Sequence, residues 1–579
     1  MKICYLLIKK YKNLKEISIS MDSHYLFEYD KDRAVVIVKD NPLHLSDFYG
    51  EHIYSLTTIA GKNGVGKTNI LRFLLTAVIE GMNDKSDCLG VAIYKDGDRL
   101  LLASNGMEVQ SVYHGQQLKK VNHKSCHTFF YTSHPIYSVR NWDILTQELT
   151  GLYNASASTR FLLDQDNYVN DGKAAKGTLS YHDYLWAHLS QRSFKILHFL
   201  IDYYRKGRDF TGLTIPPYIL ILANSSGFYK FVRKEFGIAN GKVYNNRIRN
   251  WNQIRNATLY DFFITSLLNK ASDKNEYDAW QPIIDSWEEK VKQSKDDDVI
   301  KLWQEWMPGK LHEEELLRIL TVVTTINEKC VFNDRSGFFY FNLRGNLDAV
   351  AEFVRSIYET REFLAARYFD VSFSYDASSD AMLSSGEEKL LYLMAEIFYS
   401  CVLHVNKFDN VDTPSLFVLD EAELGLHPEW QRMFVSYLMA FFNYYPLENI
   451  QILLTTHSPI LLSDILRQDI VLLKKEKGET IVEEQHKETF ATNIFELYKD
   501  SFFLDHGLMG LLAESKIKEI VEDIESNSHL DTIAKRISLI GDPQIRNYLT
   551  MKFAAIDQQQ AISLLEEQID QIRRGEIWN

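Results

Sequence analysis

The chain has 579 residues, too many for one ordinary core, and its 45% hydrophobic and 25% charged content excludes a disordered or fibrous protein. Acidic residues outnumber basic ones 78 to 64, a formal charge of −14, which excludes a generally basic nucleic-acid coat but leaves room for a local basic groove. The five cysteines are scattered without a CxxC pair and no apolar run reaches the ~18 residues of a membrane span, so a disulfide scaffold, a structural zinc site and a membrane protein are not expected and a cytoplasmic one is.

The first 60 or so residues read as short strands and turns, with β-rich runs at Ile3 to Ile8, Glu16 to Met21 and Arg33 to Val38. A buried strand from His52 to Ala60 enters Gly61-Lys62-Asn63-Gly64-Val65-Gly66-Lys67-Thr68, and Asn69 to Ile79 follows in helical pattern. This satisfies G-x-x-x-x-G-K-[ST] in the strand–loop–helix context that the motif needs. Glycines let consecutive backbone N–H groups converge on phosphate oxygens, and the helix points its positive end at them. Lys67 is placed to reach the β- and γ-phosphates of ATP, and Thr68 to offer a hydroxyl to Mg²⁺. Chance glycine turns are common, but not between such a strand and such a helix.

Short strands return at Gly90 to Tyr94, Arg99 to Ala103 and Thr128 to Tyr131, and from about Ser180 to Arg367 long helical patterns dominate. The run Lys292 to Asp298 reads as a solvated connection. Arg233 and Lys234, and Arg247, Arg249 and Arg255 around Trp251, are basic candidates for contact with DNA or RNA, although an unplaced charge cluster is more often a solvated face.

Strand and helix then alternate: a strand at Tyr368 to Tyr375, a helix from Ser385 to Val405, a buried strand Ser415 to Leu419, a helix Glu429 to Tyr444 and a buried strand Ile450 to Thr455. That alternation argues for an α/β fold whose sheet is largely parallel. Asp420 and Glu421 leave the C-terminal end of their strand, where such folds bind ligands. Asp420 would hold the water shell of Mg²⁺, and Glu421 would polarise the water that attacks the γ-phosphate. Ser384-Ser385-Gly386-Glu387 opens a helix as a second anion site, a pattern that alone would be an ordinary N-cap. His457, just past the next strand, is placed to contact the γ-phosphate. The last 80 or so residues look purely helical.

Taken in this order, the four elements resemble the ABC-type ATPase superfamily, in its SMC/RecF-like, prokaryotic AAA-domain defence branch. The resemblance rests on Asn63 within the phosphate loop, Asn69 after Thr68, Leu-Ser-Ser-Gly-Glu at 383–387, Asp-Glu-Ala-Glu-Leu-Gly-Leu-His-Pro at 420–428 and Thr-Thr-His-Ser-Pro at 455–459. It implies a head with a mixed sheet and flanking helices, divided as 1–150 (ATPase lobe), 151–368 (mainly helical insertion), 369–500 (second ATPase lobe) and 501–579 (helical C-terminal region). It implies a nucleotide site made of Gly61, Asn63, Gly64, Val65, Gly66, Lys67, Thr68 and Asn69, completed by Ser384, Ser385, Gly386 and Glu387 of a second copy. Thr68 and Asp420 would hold Mg²⁺, and Glu421 and His457 would act on ATP. The expected assembly is a homodimer or higher homo-oligomer joined through its heads.

The chain departs from the family in two respects. The glutamine loop has no clear counterpart beyond Gln147, and 317 residues separate Lys67 from Ser384, far more than in transporter heads. That insert and the Leu-Gly-Leu-His-Pro tail disfavour a transporter ATPase. A Toprim nuclease fused to the head, as in the related overcoming-lysogenisation-defect proteins, would need an Asp-x-Asp pair after His457, and none is present. Two roles stay open: a defence ATPase that controls a separate nuclease or toxin, and a DNA-repair or chromosome-maintenance ATPase. The compact insert and the segment Asn493 to Leu504, which looks like one recurring in defence ATPases, favour the first.

Overall fold

The computed structural model describes residues 2–75, 89–121, 128–132, 152–154, 181–207, 214–223, 253–268, 274–359, 369–377, 383–403, 415–445, 447–483, 487–501 and 509–573. The chain divides into two compact units, Met1–Phe502 and Phe503–Asn579. Gln147, Arg233, Lys234, Arg247, Arg249 and Trp251 lie outside the described residues.

A seven-stranded sheet organises the first unit. Its order is Leu152–Asn154, Thr128–Thr132, Leu416–Asp420, Ile450–Thr456, Ile53–Gly61, Ile470–Glu476 and Glu479–Val482. Every neighbouring pair is parallel except the last. Parallel strands lie covered on both faces, which is why Thr128–Thr132, Leu416–Asp420 and Ile450–Thr456 are buried at every position and read as mainly apolar runs without alternation. The register sets Asp420 beside Thr132 and Thr455, and Thr456 beside Ala60. One edge of the sheet therefore collects the phosphate loop, the acidic pair and His457.

The helix after the phosphate loop, Lys67–Phe73, sits between this sheet and a second one. The second sheet centres on Lys2–Tyr11, antiparallel to both Leu14–Ser20 and Leu89–Asp96. Ile3, Leu6 and Ile8 join Ile70, Leu71, Phe73, Val418 and Leu453 in one core, while Cys4, Tyr5 and Leu7 join a core with Val36, Val38, Val91 and Ile93 on the opposite face. A bulge between Ile3 and Tyr5 lets Cys4 and Tyr5 turn to the same core despite adjacent positions.

In the stretch expected to be an insertion stand the helices Tyr181–Lys206, Ile254–Leu268, Lys274–Gln293, Val299–Trp306, Glu313–Lys329 and Leu347–Glu359. Four of them, from Ile254–Leu268 to Glu313–Lys329, surround an aromatic core in which Trp303 stacks on Phe263 at 4.0 Å between ring centroids, while Tyr181–Lys206 packs through Phe199 on Phe398 and Phe441. The charged connection before Val299 ends in a cap, because the Asp298 side chain accepts hydrogen bonds from the backbone N–H groups of Ile300 and Lys301. A four-stranded antiparallel sheet, ordered Val331–Asn333, Phe338–Asn342, Tyr218–Ala223 and Phe369–Ser374, is an addition to the expected helices. The strand expected at 368–375 belongs to it. Six-residue apolar runs such as Tyr218–Ala223 carry no period that separates a strand from a buried helical turn. Arg255 serves the insert itself: its Nε donates to Asn327 Oδ1 at 2.9 Å, and its guanidinium lies 5.8 Å from the Phe339 ring centre.

The second unit is built from the helices Leu511–Ser526, Leu530–Ser538, Pro543–Ala554 and Gln558–Arg573 around Ile520, Ile524, Ile533, Ile537, Leu549 and Phe553. Among the described residues no helix is long and apolar enough to cross a membrane.

Candidate nucleotide-binding site

The phosphate loop turns through three glycines at positive φ: Gly61 at 147°, Gly64 at 78° and Gly66 at 106°. At Gly61 and Gly66 space forbids a side chain as well. A Cβ on Gly61 would lie 2.3 Å from the Leu473 carbonyl oxygen, and one on Gly66 would lie 2.9 Å from Leu14 Cδ2. Val65, buried between them, anchors the loop: its carbonyl accepts from the Thr480 hydroxyl at 2.6 Å. The backbone N–H groups of Asn69 and Ile70 both reach the Gly66 carbonyl and start the helix.

Lys67 opens that helix and is 4% exposed. Its ammonium donates to the Gly61 carbonyl at 3.0 Å, and lies 2.7 Å from His457 Nε2, 3.0 Å from His457 Nδ1 and 3.8 Å from Glu421 Oε1. Burial pulls its pKa down to about 8, against the opposing pull of Glu421 and Asp420. His457 Nε2 in turn lies 2.6 Å from Glu421 Oε1. Nε2 thus faces both the ammonium and the carboxylate; with Nε2–H donating to Glu421, Nδ1 is the acceptor left for Lys67.

The acids are held from behind by threonines. Asp420, 1% exposed, accepts from Thr132 Oγ1 at 3.0 Å and from Thr455 Oγ1 at 2.5 Å. Glu421 adopts φ 47°, and its N–H is bonded to Thr455 at 3.1 Å, which turns the carboxylate away from the strand and toward Lys67. A non-glycine residue in that region is uncommon, and such strain gathers at functional sites. Buried Glu423 accepts from the Thr456 hydroxyl and from the His457 N–H at 3.4 Å.

The donor set suits Mg²⁺. Hard oxygens are the ligands this ion takes, and it is commonly held by one or two carboxylates together with substrate phosphates, so Asp420 and the Thr68 hydroxyl are a sufficient protein contribution. Among the described residues no group of three or more His, Cys, Asp or Glu side chains forms a metal cage.

The remaining site residues stand elsewhere. Ser384 caps the helix Ser385–Phe398 in a reciprocal box: its N–H donates to Glu387 Oε2 at 2.8 Å, and its hydroxyl accepts from the Glu387 N–H. Ser384 and Ser385 are exposed, while Gly386 is buried against Leu426 and Trp430. Glu387 also accepts from the Tyr375 hydroxyl at 3.2 Å. Lys67, Asp420, Glu421 and His457 are thus brought together, and the signature residues make their contacts with Tyr375 and the loop after Glu421 instead. Asn69 joins the loop's outer support, donating through Nδ2 to Asn13 Oδ1, and Asn13 Nδ2 donates to Thr480 Oγ1 at 3.2 Å.

Sequence reasoning missed Asn13, Thr132, Thr455, Thr480 and Glu423. Consecutive threonines closing an apolar strand were the available signal for Thr455 and Thr456. Asn13 and Thr480 meet across 467 residues and gave none.

The sequence model of the AAA ATPase domain family matches residues 1–462. The retron Ec83 probable ATPase of Escherichia coli is 38% identical over 93 residues, 16% of either chain. The Septu protein PtuA of Bacillus mycoides (strain KBAB4) is 29% identical over 137 residues, 24% of this chain and 18% of that one. The chain therefore spans only about a sixth of the length of the curated relatives it matches. An SMC head bound to the C-winged helix domain of ScpA aligns over 83% of this chain and 97% of its own, at 9% identity and a TM-score of 0.24.

Proposed function

Since the chain belongs to the AAA ATPase domain family, we propose that it binds ATP at the phosphate loop and hydrolyses it, pairs its heads around the nucleotide, and controls a separate nuclease or toxin in anti-phage defence. The convergence of Lys67, Glu421 and His457 within 2.6 to 3.8 Å carries the ATPase part. Lys67 exchanges the Gly61 carbonyl for phosphate oxygens and neutralises charge on the β- and γ-phosphates. Glu421, already ordered by its turn, orients and deprotonates the attacking water. His457 holds the γ-phosphate from the neighbouring strand. Mg²⁺, held by Thr68 and Asp420, would supply further neutralisation of the phosphates.

Exposed Ser384 and Ser385 at a capped helix N-terminus support the paired arrangement, since this helix end faces solvent where a second copy's nucleotide would dock, although the Ser384 hydroxyl is engaged with Glu387 in this chain. The matches to a retron ATPase and a Septu protein support the defence role. Arg255 is occupied within the insert, so nucleic-acid contact there would rest on Arg233, Lys234, Arg247 and Arg249.

The decisive experiment measures ATP binding and turnover for the wild type, Lys67→Ala and Glu421→Gln, with sedimentation in ATP. The expected result is loss of binding in Lys67→Ala. Glu421→Gln should bind without turnover and sediment as a larger species only with ATP. Turnover by Glu421→Gln at the wild-type rate would remove the base assignment, and a species insensitive to ATP would remove the paired heads.

A further inference from the structure

Thr132, Asp420 and Thr455 stand in one row across three adjacent strands, because the register pairs Thr132 with Asp420 and Asp420 with Thr455. Residues directly across parallel strands share a face of the sheet at about 4.8 Å spacing, so the three side chains meet at the nucleotide edge. The Asp420 carboxylate is held at both ends: Thr132 Oγ1 donates to Oδ2 at 3.0 Å, and Thr455 Oγ1 donates to Oδ1 at 2.5 Å. All three residues are 1% exposed. Thr456, one position on, alternates to the other face and bonds Glu423 instead.

The two hydroxyls differ in what else they hold. A hydroxyl has one proton to give and lone pairs with which to receive. Thr455 gives its proton to Asp420 and accepts from the Glu421 N–H at 3.1 Å, so it ties the carboxylate assigned to the ion to the backbone of the residue assigned to the water. Thr132 comes from the strand Thr128–Thr132, which carries neither Glu421 nor His457. Both threonines are β-branched and stiff at χ1, so their hydroxyls are fixed with little loss of freedom. Two hydroxyls draw on one lone pair of each carboxylate oxygen, which orients Asp420 without exhausting its acceptor capacity.

We propose that Thr132 and Thr455 are positioning residues that set how tightly this edge holds its divalent ion, Thr132 acting on the ion and Thr455 on the ion and the attacking water together. The inference rests on the ATPase reading above, in which Asp420 and Thr68 hold Mg²⁺. That ion demands near-ideal octahedral geometry and gives up its waters reluctantly, so a carboxylate free to turn binds it less well than one held at both oxygens. Outer partners that orient a ligand typically change metal affinity ten- to a hundredfold when removed, roughly the range expected here.

The test uses the full chain and the variants Thr132→Val, Thr132→Ser and Thr455→Val. Mn²⁺ is the probe, titrated with a non-hydrolysable ATP analogue present and followed by loss of the free-ion electron paramagnetic resonance signal, with the analogue alone as the blank. Thr132→Val should bind Mn²⁺ about tenfold more weakly and need about tenfold more Mg²⁺ for half-maximal turnover. Its affinity for the analogue in EDTA should stay within about twofold of the wild type, and saturating Mg²⁺ should restore kcat, a split that general loosening of the site does not produce. Thr132→Ser keeps the donor on a less restricted side chain and should recover most of the Mn²⁺ affinity. Thr455→Val should weaken Mn²⁺ to a similar degree and also lower kcat about fivefold at saturating Mg²⁺, because the Glu421 N–H loses that hydroxyl.

Unchanged or tighter Mn²⁺ binding by Thr132→Val overturns the proposal, as does a Thr132→Ser chain no better than Thr132→Val or an analogue affinity that falls equally in EDTA. Full recovery of kcat by Thr455→Val in saturating Mg²⁺ overturns the separate part given to Thr455. A wild type that binds the analogue but no Mn²⁺ overturns the clamp and leaves nucleotide binding standing. A wild type that binds no analogue overturns the ATPase reading, and the clamp falls with it. Should Thr132→Val not fold, Thr132→Ala, which leaves space in place of the hydroxyl, carries the same expectations.

Discussion

His457 Nε2 lies 2.6 Å from Glu421 Oε1, across two adjacent parallel strands. The carboxylate that would activate water is thus held by the residue that would hold the γ-phosphate, and Lys67 faces both. Under the proposed function, ATP entering this edge would take Lys67 for its own phosphates and so release His457 and Glu421 for the water.

That exchange makes binding depend on pH. Burial lowers Lys67 to a pKa of about 8, and phosphate oxygens favour its charged form, so ATP binds with uptake of a proton once the free lysine is neutral. Affinity should be flat below pH 8 and fall above it, by roughly tenfold at pH 9. Calorimetric titration with ATP in buffers of differing ionisation enthalpy measures both the fall and the proton uptake. Constant affinity from pH 7 to 9.5 would contradict the assignment of Lys67 to the phosphates.

His457→Ala should lower kcat about a hundredfold, the range seen when one donor to a developing oxyanion is removed, while ATP affinity changes only a few-fold. Rapid-quench single-turnover assays with labelled ATP separate the two. A loss confined to affinity would make the histidine a binding group only.

The phosphate loop and its acids were legible because each requirement is local. Glycines at 61, 64 and 66 supply the positive φ values, Lys67 and Thr68 follow at once, and Asp420 and Glu421 close their own apolar strand. Expected strands at 52–60, 128–131, 415–419 and 450–455 meet their observed counterparts within one residue at each end. Strand order was not legible, since it depends on which runs pair. Nor was Glu423, whose neighbours Thr456 and His457 come from another strand 33 and 34 residues away. The sheet in the insert escaped because its strands are too short to show a period. Arg255 read as a surface group until Asn327, 72 residues on, was seen to hold it.

Thr480 supports the loop from outside, and Thr480→Val should show how much that support matters. The change keeps shape but removes the donor to the Val65 carbonyl and the acceptor for Asn13. A lost hydrogen bond of about 1 kcal/mol should appear as a roughly fivefold weaker ATP affinity, with kcat at saturation little altered. Equilibrium binding of a fluorescent ATP analogue checks the first and turnover at saturating ATP the second. An unchanged affinity would mean that the glycines and Lys67 fix the loop alone.

Asp469 precedes the strand Ile470–Glu476, is 5% exposed, and accepts from the Tyr49 hydroxyl at 2.8 Å. Burial pushes its pKa up to about 6, and the nearby charge of Asp22 adds to this, while the hydrogen bonds from Tyr49 and Ser23 oppose it. The folded chain therefore keeps a proton that the unfolded chain releases from about pH 4 upward. Stability must fall as pH rises through the window from about 4 to 6, and the whole cost of the buried charge is present above it. For a carboxyl raised this far the cost is roughly 3 kcal/mol as a ceiling. Asp469→Asn retains an acceptor for Tyr49 and removes the charge. It should raise the apparent melting temperature at pH 7.5, and the advantage should shrink steadily and vanish near pH 4. Melting curves of both proteins across this range test the sign directly: a variant that is less stable at pH 7.5 than the wild type would show that the ionised carboxylate is held by partners stronger than the tyrosine.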